Sequence, residues 1–314
     1  MAERIQIVGL GLATLDVLIR TENMPNWEHG ARFDAFGFDG GGPVGTAMCA
    51  AARLGAAVGF VGTAGCDHVA GLKVELLEEF GIDLSHLLRR DQPEDQVVIV
   101  YVDSRTGERV FSGFGRPRDQ LLRPEELDRA YITAADYLHL EGMHPEAALQ
   151  AARWMQEAGK TVVLDGSKTA ERDVRPFIRE LIPYVNVLIC GEGFGRALSG
   201  VEGLYEAGRR ILEMGPRIVV QTEGADGSYT VTREDRFHTP AYPVDVVDTT
   251  GAGDVFHGAY IVGLLHGWDL RTVARFSTAV SALKCTGLGG RGPIPTFSQV
   301  GAFLQERGEP LPQG

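Results

Sequence analysis

From Pro145 to Gln221 the chain alternates between two hydrophobic periods, and this alternation is what most limits its fold. Pro145–Ala158, Val174–Leu181 and Leu204–Met214 carry the spacing of amphipathic helices. Between and after them, Lys160–Leu164, Val185–Ile189 and Arg217–Gln221 are short apolar runs of strand type. Strands separated by helices cannot pair as hairpins, so they form a mostly parallel sheet with helices on both faces. The N-terminal part follows the same pattern. Ile5–Leu10 reads as a buried strand, Thr46–Leu54 as a helix stopped by Gly55, Ala56–Val61 as a strand, and Val69–Phe80 as a helix ending at Gly81.

Other strand-like pieces do not fit that sheet. Phe33–Gly42 runs into glycines, while Val97–Val102 and Glu108–Phe111 flank the turn Asp103–Gly107 as a hairpin. The β-rich segments 17–40 and 95–115 are therefore expected to project together as a lid from one α/β domain spanning 1–314. Ser228–Thr232 and Arg236–Thr239 read as an antiparallel pair. Asp254–Leu265, Leu270–Cys285 and Phe297–Glu306 read as closing helices.

Composition excludes several roles. The net charge of −12 opposes binding along a nucleic-acid backbone, and there is no polybasic patch for a membrane. No apolar run reaches membrane-spanning length, and Met1–Arg20 lacks the apolar core of a signal peptide. Cys49, Cys66, Cys190 and Cys285 are too scattered for a zinc or disulfide framework. Buried thiols in a reducing cytoplasm are the expectation.

The segment with the strongest chemistry is Asp245-Val-Val-Asp-Thr-Thr-Gly-Ala-Gly-Asp-Val-Phe-His-Gly-Ala-Tyr260. A strand-like run ends at Thr249-Thr250, and a helix begins near Asp254. Gly251, Ala252 and Gly253 have almost no side chain, so an anion can approach their N–H groups at a helix N-terminus. Asp254 can cap that helix, and its carboxylate can also take a proton from a hydroxyl beside a bound phosphate. A plain strand–turn–helix with Asp254 as N-cap is the competing explanation.

Asp248-Thr-Thr-Gly-Ala-Gly-Asp254, followed by Gly258-Ala259, resembles the C-terminal signature of the PfkB, or ribokinase-like, carbohydrate kinases. Their N-terminal signature is matched from Gly41-Gly42 through Gly55 to Gly65, with Thr46 in place of Asn and Met48 in place of a small residue. The resemblance covers nearly the whole chain. It implies a three-layer α/β/α fold with a β lid, and phosphoryl transfer from ATP to a sugar hydroxyl. It casts Asp254 as base and Gly251–Gly253 as the anion hole. Several stretches look most like the sulfofructose kinase branch, whose sulfonate-binding residues would fall near Gly142 and Gly115 and are missing.

The same resemblance assigns sugar contacts to Asp16, Gly41, Gly42 and Glu141, and nucleotide contacts to Thr222, Gly224, Gly227 and the loop containing Gly289. Asp248 and Thr250 would help hold a monovalent cation such as K⁺. The Asn-x-x-Glu that organises Mg²⁺ in many members is absent: Gly191 and Phe194 stand there, and Glu192 is the remaining candidate. Lys168 is placed to reach a phosphate, and Arg116 or Arg118 to clamp an anionic sugar. A neutral pentose or hexose is the favoured substrate. Acidic or phosphorylated sugars, such as 2-keto-3-deoxygluconate, and nucleosides are alternatives. A non-catalytic sugar- or nucleotide-binding regulator is a reading of another class, and Gly9-Leu-Gly11 hints faintly at a dinucleotide site. Trp27, Phe33, Phe36 and Phe38 suggest a homodimer formed through the lid.

Overall fold

The computed structural model describes residues 4–113, 121–167 and 173–312. Its first half runs β1 (Ile7–Leu10), β2 (Thr14–Thr21), β3 (Phe33–Gly41), α1 (Pro43–Arg53), β4 (Val58–Ala64), α2 (His68–Glu78), β5 (Leu87–Arg89), β6 (Val97–Asp103) and β7 (Arg109–Gly113). The second half runs α3 (Arg129–Ala134), β8 (Tyr137–Leu140), α4 (Pro145–Glu157), β9 (Thr161–Gly166), α5 (Pro176–Leu181), β10 (Val187–Cys190), α6 (Phe194–Ser199), α7 (Leu204–Leu212), β11 (Ile218–Thr222), β12 (Ser228–Val231) and β13 (Arg236–Thr239). The helices α8 (Ala252–Leu265), α9 (Leu270–Lys284) and α10 (Phe297–Glu306) close it.

The main sheet has the order β13-β12-β11-β10-β9-β8-β1-β4-β5. It is parallel from β5 to β11, and β12 and β13 are antiparallel. Central strands are buried on both faces, which is why they read as continuous apolar runs. In β1, Ile7 joins the core shared with α1, α8, α9 and α10, while Val8 and Leu10 join the core under α4, α5 and α7. No helix among the described residues is long and apolar enough to cross a membrane.

The lid is a separate sheet of order β3-β2-β6-β7. It is larger than the sequence suggested, because β2 starts at Thr14 and so contains Asp16. Residues paired across strands share a face. One face therefore carries Asp16, Asp39, Leu18, Val100, Val102 and Arg109. Leu18, Val100 and Val102 are buried there with Leu288 packed against them, so this face looks inward. The other face carries Val17, Ile19, Phe36, Phe38, Ile99, Tyr101 and Val110, with Phe36 and Phe38 half exposed. At the lid's root, the buried Lys73 ammonium lies 2.6 Å from Glu94 and also donates to Thr63 O and Gln96 Oε1. The pair is saturated by further bonds, as a buried ion pair must be.

Several boundaries differ from expectation. Residues 240–250 form no strand, because Pro240 and Pro243 interrupt the run and the Val247 and Asp248 amides donate to Cys285 O. α1 begins at Pro43, three residues before the expected Thr46, with the proline in the first turn where its missing N–H costs nothing. The short elements β5, α3 and α6 carry too little periodicity to be read. Cys49, Cys190 and Cys285 are buried as expected, but Cys66 is exposed, and all four are free thiols.

Candidate active site

The helix α8 starts on Gly251, whose φ of 73° lies in the left-handed region that glycine tolerates best. No side chain caps the helix. The expectation that Asp254 is the cap is therefore wrong: it is the third helical residue, because the positive φ at Gly251 starts the helix earlier. The Ala252 amide donates to Thr249 O at 3.2 Å. The amides of Gly251, Gly253 and Asp254 donate to no group among the described residues. Burial pushes the Asp254 carboxyl up to about 7; nearby Asp165 raises it further, and Arg109, Arg291 and Lys284 oppose this. A carboxyl poised there can gain and lose a proton near neutral pH.

On one side of this helix start lies a cavity of about 720 Å³, in the size range of small-ligand sites. Thr222, Gly224 and Gly227 line it opposite Ala252 and Gly253, and Tyr242, Pro243 and Val246 supply an apolar wall. Glu192 and Arg109 also reach it. Gly227 has a φ of 103°, and a Cβ there would strike Thr239 O. Gly289 does not line the cavity. Its amide donates to Asp248 Oδ2 at 2.9 Å, and it packs on Asp39.

The other side is the root of the lid. Asp16 is buried, accepts a bond from Thr14 Oγ1 at 2.6 Å, and has its carboxyl pushed up to about 6, chiefly by burial. Gly41 lies so close that a Cβ would sit 2.2 Å from Asp16 Oδ2. Gly42, at φ 84°, is the N-cap of α1. Glu141 is buried rather than a solvated loop residue; it accepts the Leu12 amide at 2.8 Å and fills the space over Gly11. Gly9 makes room for Met48 in the same way, which answers both the Met48 departure and the dinucleotide hint: these glycines serve packing. Asp248 and Thr250 are buried. Arg116, Arg118 and Lys168 lie outside the described residues.

Residues 4–297 match the pfkB family carbohydrate kinase profile. The chain belongs to that family. It is 30% identical over 304 residues to the ATP-dependent ribose-1-phosphate kinase of Halopiger xanaduensis, covering 96% of this chain and 99% of that one. It is 27% identical over 327 residues to the 5-dehydro-2-deoxygluconokinase of Shouchella clausii, covering 97% of each. Among solved structures, an E. coli protein in complex with ATP and Mg²⁺ superposes with a TM-score of 0.85 at 20% identity, covering 96% of this chain and 99% of that one, a likeness that speaks for the fold. The protein is thus an ATP-dependent carbohydrate kinase, a phosphotransferase acting on an alcohol group, on a ribokinase-like fold.

Four groups in this PfkB member escape a reading of the sequence. Arg109, on the inward lid face, donates to Thr249 Oγ1. Arg291 is fully buried and reaches Gly41 O and, at 3.4 Å, Thr46 Oγ1, so it ties the loop after α9 to the lid and to α1. Lys284 is fully buried and donates to Asp248 O. Asp165 at the end of β9 lies 3.9 Å from His257, one turn beyond Asp254, and the His257 ring packs at a tilt against His139 with centroids 5.3 Å apart. Burial raises Asp165 to about 7 and depresses both histidines to about 3, so at neutral pH the histidines beneath Asp254 are uncharged while Asp165 is partly ionised. The signals were weak ones: an acid ending a strand, and Asp254 and His257 at helical spacing.

Proposed function

We propose that Asp254 removes the proton from a hydroxyl of a small sugar seated against Asp16 and Gly41. The hydroxyl oxygen then attacks the terminal phosphorus of ATP held in the 720 Å³ cavity, the bond to the bridging oxygen breaks, and ADP leaves. The amides at the start of α8 receive the charge of the transferring group. The observation that carries this reading is the uncapped α8 terminus, whose Ala252 and Gly253 line the cavity and whose near-neutral Asp254 carboxyl interacts electrostatically with the buried Asp16. Thr222, Gly224 and Gly227 flank the phosphates. Glu192 is the carboxylate facing the cavity, so it suits a Mg²⁺ carried by the nucleotide, which would neutralise triphosphate charge. ADP release over a panel of pentoses, hexoses, sugar acids, nucleosides and sugar phosphates tests the proposal. Turnover on none of them would refute it.

A neutral pentose or hexose remains the favoured acceptor, since Asp16 and Glu141 are acidic. Arg109 on the inward lid face favours a second reading, a sugar carrying a phosphate or carboxylate, and the relatives named for ribose 1-phosphate and a sugar acid support it. On either reading Arg109 closes on the reacting end. Because Arg109 is exposed, Arg109→Ala should lower kcat about tenfold, the worth of one charged hydrogen bond, with Tm unchanged. An unchanged kcat would remove Arg109 from the site.

The outward lid face supports self-association. In the edge strand β3, Phe36 packs against both Phe33 and Phe38, and the three have 57%, 54% and 51% of their surface exposed. A second copy of this lid is the partner that would cover this face and the open strand edge together. Light scattering should report a dimer for the native chain and a monomer for the Phe36→Asp, Phe38→Asp double variant. Free thiols, including the exposed Cys66, suit a reducing cytoplasm.

A further inference from the structure

The resemblance to potassium-using relatives predicts a monovalent cation near Asp248 and Thr250; Thr250 Oγ1 is buried without a partner among the described residues, but the Asp248 side of the loop is already occupied by a lysine. Both Asp248 carboxylate oxygens are engaged: Oδ1 accepts the Thr250 amide at 2.8 Å and Oδ2 accepts the Gly289 amide at 2.9 Å. The Asp248 main-chain carbonyl accepts the Lys284 ammonium at 2.9 Å. That lysine projects from the last turn of α9 and has no exposed surface. A metal cation on the same carbonyl would sit beside the ammonium, in a medium too poor in water to screen the repulsion.

We propose that the Lys284 ammonium is the resident monovalent cation of this loop and that the enzyme works without potassium. The inference takes the phosphotransferase reading of the Asp254 site as given. An ammonium has the charge of a potassium ion and a similar size, so it can polarise and fix the Asp248 carbonyl as the metal would. It does so without loss by dissociation. Its position also bears on the chemistry: Lys284 is among the positive charges that favour ionised Asp254, and it lies under the loop that delivers the anion-binding amides. Burying a cation with no carboxylate at ion-pair distance among the described residues is costly, and a structural lysine at the end of α9 had the cheaper option of reaching solvent. Lys284 is a positioning residue: it sets the Asp248 to Thr250 turn and touches neither substrate.

The test uses the full chain in chloride salts of potassium, ammonium and tetramethylammonium at equal ionic strength. The ATP dissociation constant by calorimetry and the turnover on the best sugar should change by less than about twofold across the three salts. A several-fold gain in potassium would overturn the proposal. In Lys284→Met, ATP affinity and turnover should fall about tenfold in tetramethylammonium and recover in potassium or ammonium. A folded variant that is fully active in every salt, or that recovers in none, would overturn the role of Lys284. If Lys284→Met does not fold, the native salt series decides, with Lys284→Arg, which keeps the charge, expected to stay potassium-independent. Should no sugar be phosphorylated, the reading of Asp254 fails, while the ATP affinities still judge the cation.

Discussion

Replacing Asp254 with Asn should lower kcat by about 10²–10⁴-fold, the usual worth of a general base, while ATP binding is kept. Asn has the same shape and leaves the amides at the start of α8 in place, so calorimetric ATP affinity should stay within about threefold of the native value. Near-native turnover would sink the assignment. In the native enzyme the rate should rise as pH increases through about 7, because only the ionised carboxylate accepts a proton and its folded value is raised to about 7. Asp165→Asn removes a negative neighbour and so should move that rise to lower pH. Stability runs the other way. A carboxyl whose value is higher in the folded than in the unfolded state contributes most below its unfolded value and loses that contribution as pH rises through the folded one. Asp254→Asn should therefore have a higher Tm than the native chain at pH 8, and little difference at pH 4.

The second large effect is at the sugar end. Asp16→Asn should raise KM for the sugar about 10–100-fold, the loss expected for charged hydrogen bonds, with KM for ATP unchanged. The Asn oxygen can still accept from Thr14, so the lid root should hold, and a Tm little changed at pH 4, where the folded carboxyl is protonated, would show it. Because the Asp16 carboxyl is pushed up to about 6, the native KM for sugar should fall as pH rises through that value. Equal losses in both KM values would instead mean that the whole lid had shifted.

What the sequence revealed was local. Alternating periods from Pro145 to Gln221 specify a parallel sheet because a buried strand and an amphipathic helix each carry their own pattern. Gly251 to Asp254 stood out because bare amides before a helix have a chemistry of their own. The start of α8 was misplaced by two residues, since nothing in the order of amino acids announces the positive φ of Gly251. Only the first residues of β2, Thr14 to Asp16, fall before the β-rich segment legible from residue 17, because their polar–apolar mixture serves two faces that meet different surroundings. Arg109, Lys284 and Arg291 were unreadable for a different reason. A surface arginine and a buried one look alike in a sequence, and each of these acts on residues far away along the chain, Arg291 on Gly41 and Lys284 on Asp248.

The Arg291 tie has a consequence for biogenesis. The guanidinium that secures Gly41 and Thr46 is synthesised some 250 positions after the lid strand it holds. A ribosome-bound chain can build β1 to β4 early, yet the floor under Asp16 stays unsupported until the segment behind α9 has emerged and docked. Nascent intermediates should therefore have no use for sugar as a folding aid, and any chaperone that attends this protein has the longest work at the lid root.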